Sequence, residues 1–191
     1  MGVGIDQLDV KKRSEKLSFL EVQTSSGESE YYRMEAFTNL TFSQNTEESS
    51  VQFVDEDTKR TRVVGHSESV DYEFLHYIGQ PALEEIVKIT EGEMIGKKAV
   101  RNIITVDMTT ANLSSGSNYT AKATIRPYSV VPNSNGGSTE YMSYSGTFKA
   151  NGTKKNITVS CGKDNEWEKV TIQAGTSSAN LLSEIHTDSE E

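Results

Sequence analysis

The stretch "SESVDYEFLHYIGQPALEEIVKITEG" (residues 67–92) changes period halfway, and that change decides the fold. Val70, Tyr72, Phe74 and His76 alternate with Ser69, Asp71 and Glu73, the period of two of a half-buried strand. Beyond Gly79, Leu83, Ile86, Val87 and Thr90 recur at the i, i+3, i+4, i+7 spacing of a buried helical stripe. A helix over about 80–91 follows, with Leu83, Ile86 and Val87 as its packing face. Pro81 suits the first turn, where a missing N–H is harmless. Glu84 and Glu85 sit near the positive end of the helix dipole. Gly92 offers a left-handed cap. One short helix beside a strand predicts a helix packed on a sheet.

Reading outward, strand-like runs and turns fill the rest of the chain. "KLSFLEVQT" is apolar on both faces, with Leu17 and Phe19 on one and Leu20 and Val22 on the other. It reads as covered on both sides and makes a hairpin with "EYYRMEAFTNLTFSQ". Residues 45–65 read as a long loop rich in charge. Val51 and Phe53, alternating with polar neighbours, suggest a short strand inside it. After the helix, "NIITVDM" is apolar on both faces and reads as central. "NYTAKATIRPYSVV" and "TEYMSYSGTFKA" pair across "PNSNGGS", and "KKNITVS" pairs with "EWEKVTIQ". Eight or nine strands and one helix predict a mainly β protein: a β-sandwich or open barrel with one flanking helix. Residues 1–15 read as a flexible arm, 16–173 as the β domain and 174–191 as a flexible acidic tail.

Composition narrows the function. With 34% hydrophobic residues, 14 Gly and 3 Pro, the 191-residue chain has enough for a thin, turn-rich β core. A formal charge of −9 argues against wrapping nucleic acid, yet suits a surface past which nucleic acid slides. The single cysteine, Cys161, permits no internal disulfide and no Cys-pair zinc site. No stretch is apolar enough to span a membrane, and no basic-then-apolar leader opens the sequence. The Asn-x-Ser/Thr triplets at Asn39, Asn112, Asn118, Asn151 and Asn156 follow from a composition rich in those residues.

No catalytic or metal constellation emerges. His66 and His76 on one strand would stand about 33 Å apart. A calcium loop begun at Asp55 would place Arg60 where its glycine belongs. No phosphate-binding loop, dinucleotide fingerprint or nucleophile elbow is present. Cys161 and Trp167 read as packing residues. The expectation is a non-enzyme with no cofactor and no metal. The acidic run Asp55, Glu56 and Asp57 beside Lys59, Arg60 and Arg62 forms a two-sign patch fit to grip another copy.

The order of these parts resembles the major tail tube proteins of long-tailed (siphovirus-type) bacteriophages. The carriers are "VQFVDEDTKRTRVVGHSESVDYEFLHY" and "QPALEEIVKI"; residues 31–89 look most like those of phages and prophages of Gram-positive bacteria. The resemblance spans roughly 16–173. It implies a virion protein, assembled in the host cytoplasm into stacked, usually hexameric rings. Neighbouring sheets join there into an inner β-barrel through which DNA is ejected. It implies a long loop reaching an adjacent ring, which would give Asp55, Glu56, Asp57, Lys59, Arg60 and Arg62 inter-subunit roles. Implied partners are further copies, a tape measure protein inside the tube, and terminator and tail-tip proteins. DNA would pass without specific binding, and no membrane is involved. Asp71 and Glu73 are the candidates to face the channel. Two alternatives share some of these features. One is the tube of a contractile tail, R-type bacteriocin or type VI secretion system. The other is a surface β-sandwich adhesin or carbohydrate-binding module.

Overall fold

The computed structural model describes residues 12–24, 27–55, 57–113, 118–162 and 165–173. Ten strands are present among them: β1 (Lys16–Gln23), β2 (Ser29–Arg33), β3 (Phe37–Val51), β4 (Arg60–Leu75), β5 (Val100–Asp107), β6 (Asn112–Leu113), β7 (Asn118–Gly137), β8 (Met142–Ala150), β9 (Lys155–Gly162) and β10 (Lys169–Ile172). One α-helix, α1 (Pro81–Glu91), joins β4 to β5 by way of a short 3-10 turn. The expected arm and tail lie outside the described residues except for 12–15.

All pairings are antiparallel, and β7 is the strand on which the sheet divides. Its first half pairs with β9 over Asn118–Ile125 and with β5 over Ala123–Ser129. β5 continues to β1, β2, β10 and back to β9, closing a six-stranded barrel. The second half of β7 leaves the barrel and pairs with β8 from Tyr128 to Gly137. β8 pairs with β4, and β4 with β3. The result is a small closed barrel from which a four-stranded sheet extends.

Two cores lie on opposite faces of the same strands. Phe19, Ile104 and Val106 point into the barrel with Ala123, Ile125, Val159, Cys161 and Val170. Leu20 and Ile103, one residue over, point outward to α1 and to the buried face of the extension, Val70, Tyr72, Phe74, Tyr144 and Phe148. Hence β1 and β5 are apolar on both faces. Leu83, Ile86 and Val87 of α1 are buried in this second core. Gly146 leaves the gap that the Tyr72 ring occupies; a Cβ there would come within 2.4 Å of the Tyr72 hydroxyl.

Several expectations are corrected. Residues 45–65 are no long loop: β3 and β4 pair from Asn45–Ser67 out to Val51–Arg60, with one register shift at a bulge between Glu47 and Glu48. Most side chains there are exposed on both faces, so no hydrophobic period marks the strands. The run "EYYRMEAFTNLTFSQ" is two strands, divided where Ala36 takes a positive φ of 61°. "PNSNGG" belongs to β7, and the turn falls at 138–141. The left-handed residue after α1 is Glu93 (φ 46°), while Gly92 has φ −79°. Trp167, in the run "EWEKVTIQ", lies before β10 in the β9–β10 turn; its φ is 62°, and it packs against the barrel core.

Buried tyrosines give the fold an alkaline limit. Burial pushes the hydroxyls of Tyr31, Tyr72 and Tyr128 well above the ordinary tyrosine range; Glu21 adds to this at Tyr31, and Glu68 at Tyr128. The hydrogen bond from Tyr144 to Glu91, with burial, pushes Tyr144 up to about 12. Unfolded tyrosines ionise near pH 10. The native state holds these protons longer, so the unfolded state gains as pH rises beyond that point. The urea midpoint is therefore expected to be flat from pH 8 to about 9.5 and to fall steadily above about pH 10. At pH 10.5 the Tyr31, Tyr72 and Tyr128 hydroxyls should add no tyrosinate absorbance until the chain unfolds. A midpoint unchanged at pH 11 would contradict this account.

Candidate assembly surfaces

β4 meets β8 only over Ser69–Leu75. Its first nine residues pair with β3 alone, so the hairpin runs roughly 30 Å past the sheet as a two-stranded ribbon. Such a ribbon is at best marginally stable by itself. Its root is held by Glu68, which occupies the core-facing position of the Val70–Tyr72–Phe74 register. Tyr128 Oη donates to Glu68 Oε1 at 2.7 Å and Arg126 Nη1 to Oε2 at 3.1 Å. Lys154 Nζ lies 3.7 Å from Oε2. These bonds pin the ribbon to β7 at the point where the barrel and the extension part.

The tip is apolar at its surface. Val51, Phe53, Val54, Val63 and Val64 are all exposed. The two-sign charge cluster surrounds them: Asp55, Asp57 and Lys59 lie in the turn, Arg60 and Arg62 at the start of β4. Arg60 stacks over Phe53 at 5.9 Å from the ring centre. Glu56 lies outside the described residues.

At the other end of the same two strands is an open depression of about 550 Å³, lined by Phe37, Leu75, Tyr77 and Ile78. Ile78 is 90% exposed, and Tyr77, Tyr141 and Met142 are also exposed large side chains. The His76 N–H donates to the Met142 carbonyl at 2.9 Å, which brings the β7–β8 turn beside this depression. Apolar surface is thus displayed at both ends of one sheet.

The sides of the sheet are also open. The outer edge of β3 has no ladder partner among the described residues, and β7 beyond Ser129 is paired only to β8. Three antiparallel pairings separate these edges, so β3 and β7 run in opposite directions. Unpaired edges of this length are templates for further strands. One sheet face is the core; the other is polar. Thr41, Asp71 and Thr147 share one rung of that polar face, and Asn39, Glu73 and Ser145 the next. Thr147 Oγ1 donates to Asp71 Oδ1 at 2.8 Å. Asp71 and Glu73 are exposed there.

Sequence reasoning missed the buried charges. Glu85 was assigned to the helix dipole, but its carboxylate is buried and accepts from Arg101 Nε at 2.8 Å and Nη2 at 2.5 Å. Glu21 accepts from the Asn102 N–H and Nδ2 at 2.8 Å each and from Ser29 Oγ at 2.5 Å. Only Glu68 left a trace, a carboxylate at a core-phase position. Burial pushes the Cys161 thiol up, so it stays protonated as a core residue. Among the described residues no group of three or more His, Cys, Asp and Glu gathers as a metal would require. No helix among them is long and apolar enough to cross a membrane.

No family model matches the chain, and no curated protein matches its sequence. Its fold does match solved structures. A chain from the tail of an empty GTA particle, computed with helical refinement and C6 symmetry, superposes with a TM-score of 0.54 at 11% identity. The match covers 76% of this chain and 98% of that one. The chain therefore has a tail-tube-like fold: a large antiparallel sheet with one helix. A chain of the 6-fold symmetrised anti-feeding prophage (AFP) baseplate covers 82% of this chain and 99% of its own, with a TM-score of 0.38 at 8% identity.

Proposed function

We propose that this chain is the structural subunit of a phage-type tail tube, a non-contractile siphovirus-type tube as the resemblance over residues 16–173 implies. It assembles in the host cytoplasm into rings that stack into the conduit for DNA. The observation that carries the reading is the four-stranded extension, with one polar face and two edges of opposite direction that have no further ladder partner among the described residues. Copies placed in a ring can then pair β3 of one with β7 of the next, antiparallel throughout. Four strands from each of six copies, about 4.8 Å apart, give a circumference of roughly 115 Å and a backbone diameter of roughly 37 Å. Strand tilt widens it further. Three copies would give roughly 18 Å, too narrow for a double helix once side chains are added. The C6 symmetry of the GTA tail agrees with six.

In such a ring the polar face lines the channel and α1 with the small barrel lies outside. The ribbon tip and the depression then face opposite ends of the ring. A head-to-tail contact between them does not close on itself, so stacking continues into a tube. Tape measure, terminator and tail-tip proteins are the partners such a tube requires. Electron microscopy of the concentrated protein is the direct test. Hollow tubes with a regular axial repeat are the expected result; closed oligomers or a glycan-binding monomer would overturn the reading.

Channel charge is tested separately. Asp71→Lys with Glu73→Lys is expected to leave tube yield within about twofold, since both side chains are exposed. In a phage carrying the change, DNA release should slow at low salt and recover as salt screens the added charge. Unaltered, salt-independent release would place these residues elsewhere.

A further inference from the structure

Along the β3–β4 hairpin the core-facing rungs are Leu40–Tyr72, Phe42–Val70, Gln44–Glu68 and Thr46–His66, in order toward the tip. Leu40 and Phe42 pack on the second core, and Tyr72 and Val70 are buried in it. Past Val70 the apolar contact stops: Gln44, Thr46 and His66 are exposed. Glu68 is buried among them, at 6% exposure. Burying a carboxylate is costly until its partners offset it, and a hydrophobe of similar volume often serves stability as well or better. A gain in stability therefore does not account for a carboxylate at this position.

The partners of Glu68 belong to the barrel side of the branch. Arg126 stands opposite Ile103 of β5, in the half of β7 that forms the barrel, and Tyr128 stands opposite Arg101. Arg126 is itself held in place, because its Nε donates to the Gly152 carbonyl at 2.8 Å. The turn carrying Gly152 is fixed on β7: the Asn151 N–H donates to the Pro127 carbonyl at 2.9 Å, and a Cβ on Gly152 would come within 2.6 Å of Pro127 Cγ. One carboxylate on β4 thus takes its position from a guanidinium and a phenol that the barrel holds. Such charge-assisted bonds are directional. The apolar contacts at Phe42 and Val70 are not.

We propose that Glu68 is a positioning residue for ring stacking: it sets the direction in which the ribbon leaves the barrel, and so where the tip arrives. Only the stacking consequence rests on the tube reading; the ribbon's direction is a property of the single subunit. The ribbon is roughly 30 Å long, so a swing of about 10° at its root moves the tip by roughly 5 Å, one strand spacing. A loosened ribbon points in the stacking direction for only part of the time, and the apparent affinity between rings falls by that fraction. The buried network contributes specificity of shape more than stability.

The test variant is Glu68→Leu with Tyr128→Phe, which removes the carboxylate together with the hydroxyl it would leave unpaired. Arg126 keeps the Gly152 carbonyl and some exposure to water. Spin labels on Ser49→Cys in the ribbon and Lys122→Cys on the barrel report the ribbon's direction in the full, unassembled chain by double electron–electron resonance. Lys149→Cys with Lys122→Cys, both outside the ribbon, is the control pair. Cys161 is buried, so labelling is confined to the introduced cysteines. The expected ribbon–barrel distance distribution is roughly twice as broad as in the parent chain, with the control pair and the urea midpoint unchanged. Arg126→Gln breaks the same tie from the barrel side at a partly exposed position. It should broaden the distribution too, and it carries the test if the double variant fails to fold. Where the parent chain forms tubes, both variants should stack roughly tenfold less. Equal widths in parent and variants would overturn the proposal, as would equal broadening of the control pair, which reports a general loosening. Tubes at the parental yield from a chain with a broadened ribbon would overturn the stacking role. Absence of tubes from the parent chain would overturn the tube reading and the stacking role with it, while the distances would still decide whether Glu68 directs the ribbon.

Discussion

Phe53→Asp with Val54→Asp is expected to leave a folded subunit that no longer forms tubes. Both side chains are exposed at the ribbon tip, and nothing in the subunit core rests on them. Subunit stability should therefore change by no more than about 0.5 kcal/mol. Assembly is different. Burying each of these side chains against a neighbour contributes about 1.5–3 kcal/mol, and a buried carboxylate opposes it further. The loss repeats at every subunit of a ring, so stacking should fall below detection by microscopy and sedimentation. A charge change that leaves the apolar tip intact, such as Asp55→Asn, should have a much smaller effect, because exposed ion pairs are worth about 0–1 kcal/mol. Normal tubes from the double aspartate variant would remove the ribbon tip from the ring-to-ring contact. Ile78→Asp, at the depression, should reproduce the tip phenotype if the two surfaces meet.

Arg101→Ala is expected to be the most destabilising single change in the second core. Arg101 is 1% and Glu85 3% exposed. Arg101 Nη1 also donates to the Lys98 and Val100 carbonyls at 3.0 and 2.6 Å. Removing the guanidinium leaves a buried carboxylate whose remaining partner is Lys88 at 3.5 Å. Breaking a buried pair in this way costs about 3–5 kcal/mol. For a domain of this size that lowers Tm by roughly 10 °C. Glu85→Leu combined with Arg101→Met, which removes both charges at similar volume, should recover most of the loss. Urea unfolding of the two variants reads the difference directly. Equal destabilisation of single and double variants would mean that packing, and not the unpaired charge, sets the loss.

The contrast between these two sites shows where sequence reading succeeds. Val70, Tyr72 and Phe74 repeat every second residue, and Leu83, Ile86 and Val87 follow a helical stripe, because each side chain meets a single continuous core surface. That regularity was legible. The double-sided burial of β1 and β5 was legible for a related reason: Phe19 and Leu20, or Ile103 and Ile104, are adjacent and both apolar. The ribbon was not, because two strands exposed on both faces need no hydrophobic alternation. Its ladder is made of backbone bonds, which leave no mark on side-chain choice; the Ser50–Thr61 hydroxyl contact at 3.0 Å has no hydrophobic period either. The Glu85–Arg101 pair, sixteen residues apart, and the Glu21–Asn102 contact, eighty-one apart, are products of strand order, which no local pattern encodes.

By itself the sequence determined the class: a mainly β chain with one helix, a single buried cysteine-sized hydrophobe at Cys161, and an acidic balance unsuited to gripping nucleic acid. Those follow from local periodicity and composition, which act within a few residues. Only the tertiary structure decided that β7 serves two sheets, that the barrel closes through β9, and that β3 and β7 are left as open edges. It also decided which residues of β3 and β8 stand beside Asp71 and Glu73 on the polar face: Thr41 and Thr147 on one rung, Asn39 and Ser145 on the next. Pairing between strands distant in sequence depends on which edges and faces remain to be covered once the others have met. That competition is settled across the whole chain at once.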